Sequence, residues 1–452
     1  MEEKVFDCTL ETGDWRESAT ITGLIKYFDF LYKKGVADKS ELYEFEDDYL
    51  RYNSNYISEE NYLLFVEKYF KDAMHHKVVE NILLKDELSE DELSEDEIVL
   101  INDKLKANQA MKSIFGKIKY TGENKEEILD LIEKNRLKLI KETYRRGKSL
   151  YSNFANENLL FSDNNKVCRL VNYCADMGKK GKSLGYYWDN NTFEFKDEKI
   201  FDFIPFAFSK SYDAFFINNN VSIKELKKSN SFIENSENTR TTLFGNMKES
   251  AEYIGFDVEV ILKSRDKNYY ETVYVREKAI NIFKQSDDFD YKGIKFWYRD
   301  DEKNPKYMEP EVVNRILNGI RMDSIIELLF KSKNNHSYNI KTLIAINNLI
   351  YEGGSEMTEK MKSAYASAKE VRDKLKNQEN KINSYKQKLI SAVTFKDKDR
   401  FCEILLQLSS FSGVVFDFAY DLFEDFENNK NLAYTFINAL NKEGNKENGG
   451  DK

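Results

Sequence analysis

Apolar positions in the first third of the chain recur at helical spacing. In GDWRESATITGLIKYFDFLYKKG, Ile21, Leu24, Ile25, Phe28 and Leu31 share one face, Asp14 and Ser18 can cap the start, and Gly35 stops the pattern. ELYEFEDDYLRY reads as a short strand-like piece, and NYLLFVEKYFKDAMHHKVVENILL returns to helical spacing. In the tandem repeat KDELSEDELSEDE, Ser89 and Ser94 each precede a Glu by three residues, the signature of a capping box, so an exposed helix start or an acidic loop is expected. From Lys125 to Ser149 the pattern predicts an amphipathic helix whose last turns carry Arg136, Lys138, Lys141, Arg145, Arg146 and Lys148.

Between about 160 and 300 the pattern changes. YYWDNNTFEFK, KIFDFIPFAFS and YDAFFINNNVS read as strands, and FDVEVILKS and YYETVYVRE, joined by RDKN, have hairpin spacing and period-two alternation. From Pro310 onward the chain reads as helices: PEVVNRILNGIRMDSIIELLFKS, YNIKTLIAINNLI, and then a C-terminal block. In that block Met361, Tyr365, Ala368, Val371, Leu375, Ile382, Tyr385 and Leu389 keep helical spacing. Two apolar segments follow, split near Gly413, and a fourth ends at Gly444. The expected fold is α+β. A body over 1–354, helical at its N-terminal end and mixed α/β near 160–300, is followed by an antiparallel helical bundle over 355–452. Gly353 and Gly354 mark the boundary.

Composition narrows the classes. Of 452 residues, 41% are hydrophobic and 14% aromatic, enough for a sizeable core in more than one domain. The net charge of −10 excludes a wholly basic coat but leaves room for local basic surfaces. The acidic N-terminus has no apolar signal region, and no run approaches the roughly 18 apolar residues of a membrane span, so a cytoplasmic protein is expected. Cys8, Cys168, Cys174 and Cys402 are scattered, which fits a reducing compartment rather than a disulfide framework.

Charge is uneven in the C-terminal block. Met357 to Arg400 holds twelve Lys and Arg against six Asp and Glu, whereas Phe401 to Lys452 holds four against nine. A basic helical face that includes Lys374, Lys381 and Lys388 suits a single nucleic-acid strand held by its backbone; a solvated charged face is the plainer reading. Arg145 and Arg146 either contact phosphate or answer the helix macrodipole.

Motifs of catalysis and metal binding find little support. Cys168 and Cys174 form one wide pair with no second pair to complete a zinc site, and His75, His76 and His336 lie far away in sequence. GKKGKS lacks the upstream glycine of a phosphate-binding loop, since Asp176 stands there; Lys179, Lys180 and Lys182 remain as a basic loop. No HExxH or GxGxxG occurs. No enzymatic activity, metal or cofactor is expected.

The run FDFIPFAFSKSYDAFFINNNVSIKEL reads as two aromatic strands around Lys210, then Asn218, Asn219 and Asn220, with Ser222 as a cap. It is either a core corner, since Asn tolerates left-handed turns, or a polar loop on a rigid aromatic base, presented to a ligand. Three segments, GDWRESATITGLIKYFDF, CRLVNYCADMGKKGKSLGYYWD and IPFAFSKSYDAFFINNNVSIKEL, resemble the large subunit of type I (I-B-like) CRISPR Cascade complexes, the Cas-eight group related to the CXXC-CXXC proteins. The likeness is scattered over roughly residues 10–230 and departs from that group at the cysteines, which leave no complete zinc element.

The resemblance implies a non-catalytic DNA-binding subunit. It would join guide-RNA-containing backbone and crRNA-end proteins, read a protospacer-adjacent motif in duplex DNA, aid strand separation and R-loop stabilisation, and recruit a helicase-nuclease. Asn218–Asn220, Lys210 and the Lys179–Lys182 loop have the chemistry for minor-groove reading. In some such systems the C-terminal bundle resembles the complex's small subunit and is made separately from an internal start. Glu352-Gly353-Gly354 can be encoded by a purine-rich run like a ribosome-binding site, and Met357 follows, which would give a 96-residue product, Met357–Lys452. The competing reading is a helical interaction or scaffold protein without a nucleic-acid role.

Overall fold

The computed structural model describes residues 6–85, 93–163, 168–171, 197–210, 213–235, 254–285, 291–299, 305–350 and 354–441. The fold is α+β, with small antiparallel sheets and a helical C-terminal region. Its contacts form two units: Met1–Thr242 with Val258–Tyr274, and Leu243–Asp257 with Val275–Lys452. The expected boundary at 354 therefore falls inside the second unit.

In the first unit, β1 (Cys8–Glu11) leads into α1 (Trp15–Lys33), which the Asp14 carboxylate caps by accepting from the Arg16 amide at 2.9 Å. Gly35 ends the pattern at φ 71°, a conformation glycine adopts without strain. After the short α2 (Lys39–Leu42), β2 (Tyr43–Phe45) and β3 (Tyr49–Tyr52) complete a sheet of order β1-β3-β2, with Cys8 opposite Tyr52 and Phe45 opposite Leu50. Then come α3 (Glu59–Tyr69), α4 (His75–Lys85), α5 (Glu95–Lys104), α6 (Gln109–Phe115), the long α7 (Lys125–Arg146) and the short α8 (Tyr151–Phe154). Ser94 and Glu97 form the capping box the repeat suggested; Ser89 lies outside the described residues.

The aromatic run before Pro205 is not a strand. Lys199–Phe206 forms a 3₁₀ helix laid directly on α1. Its threefold spacing sends Phe203 and Phe206 into a cluster with Tyr27, Tyr62, Phe65 and Tyr144, and sends Phe201 and Ile204 into another with Trp15, Phe208 and Phe216. Gly23 permits the approach, because a Cβ there would stand 2.1 Å from the Phe203 carbonyl oxygen. The second sheet, order β4-β5-β6, comprises β4 (Asp213–Asn218), β5 (Val258–Ser264) and β6 (Glu271–Val275), so the hairpin strands lie side by side as their spacing predicted. The outer edge of β4 is closed by Asn230 of α9 (Ile223–Asn235), whose side chain both donates to and accepts from the Ile217 backbone, and by Ser209, which accepts from the Phe215 amide.

The second unit begins its described helices with α10 (Glu277–Lys284), followed by a two-stranded hairpin, β7 (Trp297–Arg299) and β8 (Pro305–Tyr307). Helices α11 (Glu309–Leu317), α12 (Asp323–Lys331) and α13 (Ser337–Ile350) precede α14 (Gly354–Lys374), α15 (Glu379–Thr394), α16 (Lys398–Ser412), α17 (Ala419–Glu424) and α18 (Lys430–Ala439). Gly413, at φ 66°, ends α16 in the left-handed region where a C-terminal glycine is favoured. Helix α18 packs on α13, α14 and α15 together, which ties helices from both sides of residue 354 into one core. No helix among the described residues is long and apolar enough to cross a membrane.

Candidate nucleic-acid interface

The residues singled out in the sequence separate into three fates. Asn218 closes β4 rather than opening a loop: it is 6% exposed, and its Nδ2 donates to Glu259 Oε2 across the strand pair at 2.8 Å. Asn219 is fully buried, and its Nδ2 donates to Ser229 Oγ at 2.7 Å. Only Asn220 of the three is exposed, reaching the Gly13 carbonyl at 3.4 Å. The sequence read as three loop asparagines because the apolar run of β4 stops at Ile217, whereas the strand continues through Asn218. Lys179, Lys180 and Lys182 lie outside the described residues, as does GKSLG (181–185), whose letters also spell GxSxG.

Lys210 and Arg146 come to adjoining hollows in the first unit. One, of about 200 Å³, has Tyr69, Phe70, Ser149, Lys210 and Arg265 in its walls. The other, of about 350 Å³, shares Ala73, Ser149 and Leu150 with it and continues to Arg146, Asn108 and His75. Lys210 is held over the Tyr69 ring, 4.1 Å from its centroid, while its Nζ donates to the Tyr69 carbonyl at 2.5 Å. Arg145 and Arg146 both pair with Glu142, which neutralises part of their charge at the C-terminal end of α7. Burial, with Lys104 and His76 nearby, holds the His75 imidazole below its ordinary value.

Arg265, absent from the sequence-derived set, is carried by the turn after β5. That turn is pinned from beneath by Lys263, 2% exposed, whose Nζ donates to Asn153 Oδ1 at 3.1 Å, the Ser264 carbonyl at 3.0 Å and the Lys267 carbonyl at 2.5 Å. Burial pushes the Lys263 ammonium down to about 8.

In the second unit, α15 and α16 form an open groove of about 680 Å³, lined by Tyr385, Glu403, Leu406, Gln407, Ser410 and Phe411. Lys381, Tyr385 and Lys388 stand at i, i+4 and i+7, one face of α15. Tyr385 lies against Phe411, with centroids 5.9 Å apart and planes tilted by 37°. The Lys381 ammonium is 6.0 Å from the Phe411 ring and the Lys388 ammonium 5.6 Å from the Tyr385 ring. Leu406 and Phe411 remain 56% and 44% exposed, an unusual outlay of apolar surface beside cations. Lys374 differs: its Nζ donates to the Gly413 carbonyl at 2.9 Å and pairs with Glu370, so it ties α14 to the end of α16. Aromatic rings that stack bases, with lysines placed for phosphates, are the chemistry of sequence-tolerant single-strand binding. The lysines were legible from charge; Phe411 and Leu406 were not, because apolar residues at helical spacing read as core.

Among the described residues, no cluster of three or more His, Cys, Asp or Glu side chains is placed to hold a metal ion. The family model described as CRISPR-associated protein Csx8 matches residues 6–238 and 228–440. No curated protein and no solved structure matches the chain.

Proposed function

We propose, from the premise that the chain belongs to the CRISPR-associated protein Csx8 family, that it is the non-catalytic large subunit of an RNA-guided surveillance complex. In this reading it joins guide-RNA-containing subunits, recognises the protospacer-adjacent motif in duplex DNA, aids strand separation and stabilises the R-loop. It also recruits the helicase-nuclease, and its C-terminal part is additionally made as a small subunit from Met357. The observation that carries the reading is the α15–α16 groove, where Tyr385 and Phe411 stand among Lys381 and Lys388. Base pairing to a guide leaves a displaced strand without a partner, and an aromatic groove flanked by lysines, its Glu403 paired with Arg400, suits that strand whatever its sequence. The hollows around Lys210, Arg265 and Arg146 are the better candidates for duplex contact than Asn218 or Asn219, whose side chains are committed inside the fold.

The experiment is to express the natural gene with its neighbours and a C-terminal tag, then analyse retained nucleic acid and intact masses. Short RNA of uniform length and partner subunits are the expected companions, with a second species beginning at Met357. A lone full-length chain with no nucleic acid, indifferent to added single-stranded or duplex DNA, would sink the reading. It would favour a helical interaction protein instead, to which the exposure of Phe395, Val415 and Tyr420, each above 70%, lends some support.

A further inference from the structure

The β7–β8 hairpin carries an aromatic pair that the groove does not use. Trp297 is 60% exposed, whereas Trp15 is 7% exposed. Cross-strand pairing sets Trp297 opposite Tyr307, and their rings lie 5.1 Å apart at 42°. Large aromatic surface left in water is costly unless something covers it.

The base of the hairpin is fixed. Phe296 and Met308 are buried, and the Met308 amide donates to the Phe296 carbonyl at 3.0 Å. The preceding 3₁₀ turn, Tyr291–Ile294, packs on α13: Gly293 lies so close to Thr342 that a Cβ would stand 1.9 Å from its Oγ1, and Asn339 Nδ2 donates to the Gly293 carbonyl at 2.9 Å. Tyr307 Oη donates to Glu309 Oε2 at 2.6 Å, which sets the second ring. The platform is thus held from beneath, with Trp297 exposed and Tyr307 half-buried beside it.

Charge says what would cover it. Lys295 and Arg299, two residues either side of Trp297, are both exposed. Alternate residues of a strand share a face at about 6.7 Å intervals, so Arg299 follows Trp297 along one row. Cation, indole, cation in succession matches the regular alternation of phosphate and planar base along a nucleic-acid strand.

We propose that Trp297 and Tyr307 form a stacking site for an unpaired nucleobase, with Lys295 and Arg299 engaging the adjoining phosphates. The site rests on the nucleic-acid reading above and adds a contact distinct from the α15–α16 groove.

The test uses the full chain and an oligothymidylate single strand at fixed low salt, read by tryptophan emission and by anisotropy of a labelled strand. Emission is expected to fall on binding and to stop responding in Trp297→Ala. Affinity is expected to drop roughly five- to 150-fold in that variant, the loss of one stacked base, and Trp297→Phe should recover most of it. If Trp297→Ala binds as tightly as the wild type while Lys381→Ser with Lys388→Ser weakens binding, the hairpin site is overturned and the groove stands. If the wild-type chain fails to bind the strand, the broader reading falls and takes the hairpin site with it.

Discussion

Arg169 is the largest side chain that the described residues bury completely, and it is buried with its counter-charge. Its guanidinium donates to Asp202 Oδ1 at 2.7 Å, lies 3.3 Å from the Asp197 carboxylate, and reaches the Leu159 and Ser162 carbonyls. Asp202 also accepts from the Phe161 amide at 2.7 Å and from Tyr151 Oη. Burial pushes its carboxyl up to about 6 against the pull of Arg169. Asp202→Asn keeps the shape but leaves the buried cation with Asp197 as its remaining counter-charge, so a loss of about 3 kcal/mol is expected in denaturant unfolding. Arg169→Met combined with Asp202→Leu and Asp197→Asn, which removes both buried partners with the cation, should cost less than the single change; a larger loss would show that the charged cluster itself supplies stability. Nothing in the sequence set Asp202 apart from the other acidic residues, because its role depends on a cation 33 positions away.

Lys263 is the opposite case, a buried cation among neutral oxygens. Its ordinary value of 10.5 holds in the unfolded chain, while burial brings the folded value to about 8. Between those values the unfolded chain binds more protons, so this residue's contribution to stability rises with pH across that window. Lys263→Met abolishes the dependence. The melting temperature of the wild type should therefore climb relative to that variant from about pH 7 to about pH 10; a constant difference would mean that water reaches the ammonium.

At the scale of elements, caps were readable and crowding was not. Asp14, the Ser94–Glu97 box, Gly35 and Gly413 each act through neighbours a few residues away, so local sequence suffices. Ser94→Ala should cost about 1 kcal/mol by thermal melting, since it releases the start of α5. The run KIFDFIPF misled because both its faces are apolar; strand and 3₁₀ helix then predict the same composition, and only contact with α1 decides. Gly23 records that decision. Gly23→Ala favours the helix intrinsically by about 1 kcal/mol, yet drives a methyl into the Phe203 carbonyl. A net loss of roughly 2 kcal/mol or more is expected, because the obstruction is backbone and cannot rotate away. A stabilised variant would mean that the 3₁₀ segment slides freely on α1.

At the scale of the whole molecule, the break at Gly353 and Gly354 lies within one contact unit. Helical periodicity and the charge reversal near residue 400 made the C-terminal block look independent, since neither signal reports what covers a helix. Eight of the ten residues of α18 are buried, and a helix buried on every side needs neighbours all round. Several of those neighbours precede residue 354. Asn431 accepts from Asn347 Nδ2 at 3.2 Å, Tyr434 Oη donates to Glu327 at 2.7 Å, and Asn438 Nδ2 donates to the Ser337 carbonyl at 2.9 Å. A product beginning at Met357 would keep α14 and α15 against α18 but lose α12 and α13. The fragment Met357–Lys452 made alone is therefore expected to self-associate or to melt without cooperativity, seen as concentration-dependent mass in solution and a broad thermal transition. The full chain, which retains α12 and α13, should melt sharply through the same helices. A cooperative monomer would show that the α13 face is dispensable and that the short product can work unaided. Self-association would instead require that any Met357 product find its missing cover on another subunit, which makes its retention by the assembled complex, rather than its stability alone, the property to measure.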